Sequence, residues 1–435
     1  MWVKALEAIV MEEGRSNACG GFKVKGDKIE INRKIVSRVF DEISPEDVFG
    51  LENCMRCSIC SFTCPFWLET HNKIDVPSWR TYEINKIYSM YYTGYGIVAR
   101  YLRLRRLKKN DFLKWPESAY NCTACGACTI TSPMEIPNWY TALLMRRVLH
   151  YTGFNLESVE KLIENTKQVG NALGINKDEW EGIIKETGLK VSKSADVLYV
   201  PSALEVKYKD TLTNMGQIFD KIKVNYTVSP EISDVGYYAY FGGDFETARK
   251  MFMSIYEEAK RVNAKKIVVS DGTAYFMLRW QGPKSLRYKL DIEVEHISVT
   301  VYNAYKEKIA KLDKADLASP VTVHDSEFLS RMSKVIKPHR EILRTISPEF
   351  NEPKVPASSD KIFTCTHHLE LIPEKSEIVK RVRKYSVNQL LKWGGKSVVT
   401  LDPNCRLSME NAVKDGIASF KVVDFADALN RGLRS

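Results

Sequence analysis

Seven of the ten cysteines lie in two short runs, and the spacing of those runs is a chemical statement. The first run is Cys54-x2-Cys57-x2-Cys60-x3-Cys64-Pro65, and the second is Cys122-x2-Cys125-x2-Cys128-x3-Ser132-Pro133. Three thiolates set two residues apart can wrap one face of a cube of iron and sulfide. A fourth, followed by proline, turns away and ligates the neighbouring cube of a two-cluster protein. Zinc sites pair their ligands as separated Cys-x2-Cys knuckles, which neither run resembles. With fourth ligands exchanged, Cys64, Cys122, Cys125 and Cys128 complete one [4Fe–4S] cluster. The other cluster is left with Cys54, Cys57 and Cys60, and Ser132 stands at its open corner. A hydroxyl is a poor iron ligand beside a thiolate. The second cluster is therefore a [3Fe–4S] cluster, or a [4Fe–4S] cluster with serine or water at the fourth iron. Loss of that cluster is a third reading, and three correctly spaced thiolates argue against it.

The chain that must position these thiolates is 435 residues long, enough for two or three domains with real cores. Its 44% hydrophobic and 27% charged residues are ordinary for a soluble globular protein. A formal charge of +10 suits an acidic partner or an anionic membrane surface as well as nucleic acid. No apolar stretch approaches the length of a membrane span, and the first residues do not read as a secretory signal. Crowded cysteines point to metal binding in a reducing compartment rather than to disulfides. The expected location is cytoplasmic, with peripheral attachment to the cytoplasmic face of a membrane as an option.

Along the chain, residues 1–45 read as a leader, with a hairpin over Phe22–Ile31 turning at Gly26-Asp27. Cys19, beside Gly20, reads as a free thiol. Residues 46–150 hold both cysteine runs. Residues 151–194 read as a helical linker, with helices from near Ser158 to Gly170 and from Lys177 to Gly188. From about residue 195, short β-branched runs alternate with longer helical stretches, the texture of α/β modules. Val197–Ala203 parallels Val321–Glu327, and Ile267–Asp271 parallels Val398–Asp402, at offsets of about 124 and 131 residues. Two copies of one unit, 195–318 and 319–435, account for both offsets.

These features together resemble the iron–sulfur subunits of heterodisulfide reductases and their relatives, which include the third subunit of anaerobic glycerol-3-phosphate dehydrogenase and the iron–sulfur subunits of lactate and glycolate oxidation. The resemblance rests on the long separation between the two runs, on Pro133 and Ile136, and on the helix through Arg146 and Arg147. It implies an α+β multidomain fold, an α-helical ferredoxin domain followed by two tandem α/β modules. In the family each module carries a lone Cys, a Cys-Cys-Gly and a Cys-x-x-Cys that together hold a noncubane cluster. By landmark, the first copy here has Ala203, Asp234-Val235-Gly236, Asp271 and Ala274 at those places, so it is expected to be scaffold. The second copy follows the frame His324-Asp325-Ser326-Glu327, with Glu327 at the lone cysteine position, Thr364-Cys365 for the pair, and Asp402-Pro403-Asn404-Cys405 for the last two. Two sulfurs of five cannot hold a noncubane cluster. Cys365 and Cys405, with His367, His368, Glu327 or Asp402, can make a single-metal site, zinc being the commonest occupant. The alternative is a pair of ordinary buried thiols.

Two further features bear on partners. Arg100, Arg103, Arg105, Arg106, Lys108 and Lys109 form the strongest basic run, and Val98, Tyr101, Leu104 and Leu107 fall at three-residue spacing within it. An amphipathic helix is expected there, facing solvent, an acidic redox partner or lipid headgroups. No recognition module accompanies the run, so nucleic acid is not an expected partner. Gly394-Gly395-Lys396-Ser397 lacks the earlier glycine of a phosphate loop, and no dinucleotide fingerprint is present, so a flavin belongs on another subunit. The resemblance implies an electron-transfer subunit, passing single electrons between a flavoprotein dehydrogenase and a quinone or thiol–disulfide acceptor, with a membrane-associated quinone-reducing subunit as a further partner. The competing readings are a catalytic disulfide reductase and a protein whose clusters only staple its fold.

Overall fold

The structure is a computed structural model describing residues 21–286, 291–354 and 361–434. Cys19 and the first part of the leader lie outside the described residues. The fold is α+β, and the chain divides into two compact units. One gathers the chain up to Lys161 with Tyr240–Asp244 and Leu371–Ile378; the other holds Leu162–Ala239, Phe245–Glu370 and Val379 onward.

The first unit is built on helices. Its small sheet starts with the hairpin β1 (Phe22–Lys25) and β2 (Lys28–Ile31), antiparallel with Phe22 opposite Ile31. Gly26, at φ +60°, supplies the left-handed turn residue that the hairpin needs. Alternation sends Phe22, Val24, Ile29 and Ile31 inward and the lysines outward. A third strand, β3 (Leu107–Lys108), adds to β2. The helix Pro45–Asn53 opens with a reciprocal Ser44–Asp47 capping box and delivers Cys54 at its C-terminal end. The long helices Pro77–Tyr92 and Asn138–Thr152 pack against each other and form the floor under the cysteine loops.

The second unit carries two parallel sheets. β4 (Val197–Tyr199), β5 (Tyr226–Thr227), β6 (Lys266–Val269) and β7 (Glu293–His296) lie in the order β5-β4-β6-β7, every pair parallel. Next in the chain come β8 (Lys311–Leu312), β9 (Val321–His324), β10 (Ser397–Thr400), β11 (Lys421–Asp424) and β12 (Leu433–Arg434). β9, β10 and β11 form a parallel sheet in the order β11-β10-β9, while β8 and β12 pair antiparallel. The similar segments of the sequence thus occupy matching places. β4 pairs β6 in one sheet as β9 pairs β10 in the other. Each of β6 and β10 leads to an aspartate, Asp271 or Asp402, that caps the next helix through its side chain. β4, β9 and β10 are buried at every residue, as strands covered on both faces are, whereas β11 has a single buried residue. The two expected linker helices are Glu157–Val169 and Lys177–Thr187, the latter closed by Gly188.

One expectation fails. The basic run is no amphipathic helix: the helix Gly94–Tyr101 stops, Arg103 takes φ +60°, and Leu107 enters β3. Pairing with the hairpin buries Leu107 against the sheet core, and that outweighs helix continuation. Val98, Tyr101 and Leu104 do not share its buried face; Tyr101 is 86% exposed and Leu104 is 78% exposed.

Candidate metal centres

The two cysteine runs have one backbone design. In each, the residues on either side of the middle cysteine are left-handed: Arg56 and Ser58 around Cys57 (φ +57° and +62°), Ala124 and Gly126 around Cys125 (φ +56° and +75°). Paired left-handed residues coil a loop tightly and turn its amide N–H groups inward, as a nest for a negatively charged group does. The Ala124 N–H, for instance, points at the Cys122 sulfur at 3.3 Å. Each loop then passes through a short helical turn, Ile59–Thr63 or Ala127–Thr131, and these two turns pack on each other. Thr63 and Thr131, which precede Cys64-Pro65 and Ser132-Pro133, meet hydroxyl to hydroxyl at 2.8 Å. The runs are therefore placed back to back about a local pseudo-twofold.

That arrangement sorts the side chains into two sets. Cys54, Cys57, Cys60 and Ser132 line one small concavity, together with Ser78 and Asn138. Burial pushes the Cys60 thiol up, opposed by the backbone N–H and the hydroxyl of Ser78. The Ser132 Oγ accepts the Ile136 N–H at 3.1 Å. In the other set, burial pushes Cys64 up to about 12; Arg80 opposes this, and Cys122 and Cys125 add to it as like charges. Cys128 is raised well above the ordinary thiol, by burial first and then by Cys125, Cys122, Cys64 and Cys60. Four thiols, two of them buried and two half-buried, three more around a concavity, and an amide donor aimed at sulfur fit the requirements of two cubane-type clusters. Cys57 is exposed and Cys54 half-buried, whereas Cys64 and Cys128 are buried. Beside the outer set, Met55 is 77% and Phe62 66% exposed.

Sequence reasoning missed the charges behind the inner set. Arg80 is fully buried and donates to the Ser118 and Asn121 carbonyls at 2.8 Å each, with Asp75 at 3.8 Å. Arg146, also buried, donates to the Ala119 and Phe241 carbonyls at 2.9 Å and to the Cys122 carbonyl. Lys375 donates to the Glu117 carbonyl at 3.1 Å and to Asn121 at 3.0 Å, and burial lowers its pKa to about 8. Arg80 and Lys375 carry no local motif, and Arg146, read only as part of a helix, gives no sign in sequence of the carbonyls it serves. The repeated Thr-[Cys/Ser]-Pro was the one legible sign of the pseudo-twofold.

In the second unit, the candidate ligands divide. Cys365 and Cys405 lie with Glu327, and His324 joins them. His367 and Asp402 belong to a different set: the His367 Nε2 is 2.7 Å from the Thr273 Oγ and 3.3 Å from the Asp402 Oδ2, and Thr273 donates to that carboxylate through its hydroxyl at 2.7 Å. The His368 Nδ1 is 3.3 Å from the His367 Nδ1. Asp234, in the same unit, accepts the Ala172 and Gly236 N–H groups at 2.9 Å each, fixing a buried corner.

Comparison with known proteins agrees with the amino-terminal geometry. The family described as 4Fe-4S dicluster domain matches residues 50–136. The chain is 26% identical over 242 residues to the Hdr-like menaquinol oxidoreductase iron-sulfur subunit of Archaeoglobus profundus, covering 50% of this chain and 43% of that protein. It is 26% identical over 241 residues to the Hdr-like menaquinol oxidoreductase iron-sulfur subunit 2 of Archaeoglobus fulgidus, with the same coverage. The match thus spans less than half the length of these relatives. A crystal structure of a hypothetical protein from Helicobacter pylori covers 92% of this chain and 76% of its own at a TM-score of 0.50 and 11% identity, a likeness of fold alone.

Proposed function

We propose that this chain, which belongs to the heterodisulfide reductase-like iron–sulfur subunits, is the electron-transfer subunit of a multi-subunit oxidoreductase. It relays single electrons between a flavoprotein partner and a quinone or thiol–disulfide acceptor. The observation that supports this reading is the packing of the two cysteine loops on each other through the turns Ile59–Thr63 and Ala127–Thr131, where the Thr63 and Thr131 hydroxyls lie 2.8 Å apart. Bound iron–sulfur clusters supply one-electron chemistry at potentials set by ligand identity, hydrogen bonds to sulfur and burial. The residues divide that work. Cys64, Cys122, Cys125 and Cys128 hold a [4Fe–4S] cluster backed by the buried Arg80. Cys54, Cys57 and Cys60, with Ser132 at the fourth corner, hold a [3Fe–4S] or [4Fe–4S] cluster nearer the surface. Exposed Met55 and Phe62 make that outer edge the side for exchange with a partner.

The menaquinol in the relatives' names favours a quinone acceptor. Among the described residues no helix is long and apolar enough to cross a membrane. Peripheral contact is proposed instead through the basic segment that follows Thr93, whose apolar side chains face solvent. The α-helical ferredoxin domain spans 46–150, and 195–318 and 319–435 are two degenerate Cys-Cys-Gly-type α/β modules, the first of them a scaffold. Catalytic disulfide reduction is disfavoured, since those modules retain only Cys365 and Cys405.

The test is an anaerobic redox titration followed by electron paramagnetic resonance, with iron and sulfide counted on the same sample. Two signals at different potentials, cycling reversibly in a chain that stays folded, are the expected result. Oxygen-protected protein that is colourless and iron-free even after reconstitution ends this reading. A folded, iron-loaded chain without reversible reduction supports stapling instead.

A further inference from the structure

His324 and Glu327, Cys365 and Cys405 come from three separate stretches of the chain and converge. His324 ends β9, and Glu327 opens the helical turn Glu327–Met332. Cys365 precedes Thr366 and His367, two consecutive left-handed residues (φ +78° and +49°) that bend the chain around it. Cys405 lies in the first turn of the helix Pro403–Lys414. All four are buried, and one donor atom from each lies within 4.8 Å of the other three. The sulfurs are 3.1 Å apart and both thiols are free.

Two observations separate this cluster from an ordinary pair of core thiols. The His324 Nε2 is buried with no hydrogen-bond partner, and so is the Glu327 Oε2. The other carboxylate oxygen of Glu327 accepts the Thr364 hydroxyl at 2.5 Å, which fixes the group so that Oε2 is left over. A buried imidazole nitrogen and a buried carboxylate oxygen without partners are each costly, by roughly 1–3 kcal/mol and more for a charge. One ring nitrogen of His324 and one carboxylate oxygen of Glu327 lie within 4.8 Å of the two sulfurs. The sulfurs themselves rest against an apolar cluster that includes Val387, Leu390, Val398 and Met409, which keeps water from satisfying the set from behind.

We propose that the His324 Nε2, the Glu327 Oε2 and the sulfurs of Cys365 and Cys405 bind a single divalent transition-metal ion, with zinc the preferred occupant. Ligands at the usual zinc distances of about 2.0–2.3 Å stand roughly 3.3–3.8 Å apart in a tetrahedron. The observed donor atoms lie within 4.8 Å of one another and the sulfurs 3.1 Å apart, so side-chain adjustments of up to about 1 Å bring the set to that geometry. Two thiolates favour zinc over magnesium or calcium, and one imidazole with one carboxylate completes a four-ligand, closed site. On binding, two S–H bonds break, two sulfur–metal bonds form and two protons leave to solvent; no electron moves. The ion ties β9 to the helix Pro403–Lys414 and to the Cys365 segment. Its role is to close the second module where too few sulfurs exist for a larger cluster. This inference does not depend on the electron-transfer reading, because the site and the ferredoxin cysteines share no residue.

The test uses the full chain, purified without oxygen, with zinc, iron and sulfide measured together. The expected result is one zinc per chain in addition to the cluster iron. Cobalt(II) exchanged into the same protein is expected to show the sulfur-to-metal charge-transfer and intense visible bands of a tetrahedral thiolate site. Cys405→Ala should lose about half of the charge-transfer intensity. His324→Ala should lower metal affinity by more than the roughly 10-fold that removing even an outer partner costs. Cluster iron and its spectrum should stay at the parent level in both variants, which reports that they fold. Any of four results overturns the proposal: wild-type protein with no zinc that takes up no cobalt, undiminished uptake in the variants, a Cys365–Cys405 disulfide in the anaerobic protein, or extra iron and sulfide lost with Cys405→Ala. The cobalt spectrum of the wild-type chain decides the matter even when a variant fails to fold.

Discussion

Ser132 is the residue on which the asymmetry of the two cysteine sets turns. It shares the backbone place of Cys64, lines the concavity with Cys54, Cys57 and Cys60, and has its oxygen held by the Ile136 N–H. That bond occupies one lone pair of the oxygen, and a serine hydroxyl is a weak partner for iron beside thiolates. Ser132→Cys is expected to replace any oxidised three-iron signal with that of an all-cysteine [4Fe–4S] cluster and to lower the outer potential, while leaving the other cluster's signal in place. An unchanged spectrum in the fully loaded variant argues that Ser132 does not face that cluster. Arg80 sets the opposite bias. Burial lowers its pKa, but the sulfurs of Cys122 and Cys64, and then Asp75, outweigh this and hold it charged. A fixed cation favours the reduced, more negative cluster. Arg80→Gln should therefore lower the inner potential by on the order of 100 mV, the effect of one charge several ångströms away through an effective dielectric near 20. Potentiometry on a variant with parent iron content checks it.

At the scale of elements, the segment Gly94–Lys108 is where local pattern and tertiary structure disagree. A three-residue apolar spacing predicts one buried helix face, yet the hairpin captures only Leu107 and leaves Val98, Tyr101, Leu102 and Leu104 outside among arginines. Exposed apolar groups interleaved with cations suit an anionic interface. The full chain should co-sediment with vesicles containing anionic lipid but not with neutral ones, and binding should weaken in high salt. Tyr101→Ser with Leu104→Ser should reduce it several-fold without changing iron content; equal binding by the double variant removes the segment from consideration. A second element-level prediction concerns Glu205, where β4 and the end of β6 converge. It is buried, accepts the Tyr199 hydroxyl and the Ser202 N–H at 3.1 Å each, and is pushed by burial up to about 7. Its folded pKa lies above the ordinary carboxylate value near 4.3, so folding takes up a proton. The stability it contributes is whole below about pH 4.3 and is lost as pH rises toward 7, an effect of up to about 3 kcal/mol. Glu205→Gln should flatten the fall in melting temperature across that window. A variant that keeps the parent's pH slope shows that the carboxyl is ionised in the fold.

At the scale of the molecule, all seven clustered cysteines fall in one compact unit, and both parallel sheets in the other. Stripping iron should therefore raise amide hydrogen exchange through the cysteine loops and the helices beneath them, while β4–β7 and β9–β11 keep their protection; loss of protection in both units alike contradicts this division. Much of the molecule was legible beforehand. The cysteine spacing specifies a cluster chemistry because short loops allow few ways for thiolates to face one ion. The hairpin and the two linker helices were readable from Gly26, from the Lys177–Gly188 pattern and from alternation, all features of neighbours in sequence. The repeated β-branched runs marked strands that do occupy matching positions in two sheets. Other facts had no local trace. His324 reads as an ordinary strand residue until folding brings it to Cys365 and Cys405, whereas His367, nearer to Cys365 in sequence, is drawn off by Thr273 and Asp402. Arg80, Arg146 and Lys375 stand near one another only because buried carbonyls from distant segments needed donors. Sequence determined the ligand types and the local turns, since these depend on residues within one loop. Tertiary structure alone decided which ligands meet and which charges stand behind them, since burial and pairing are settled between segments far apart in the chain.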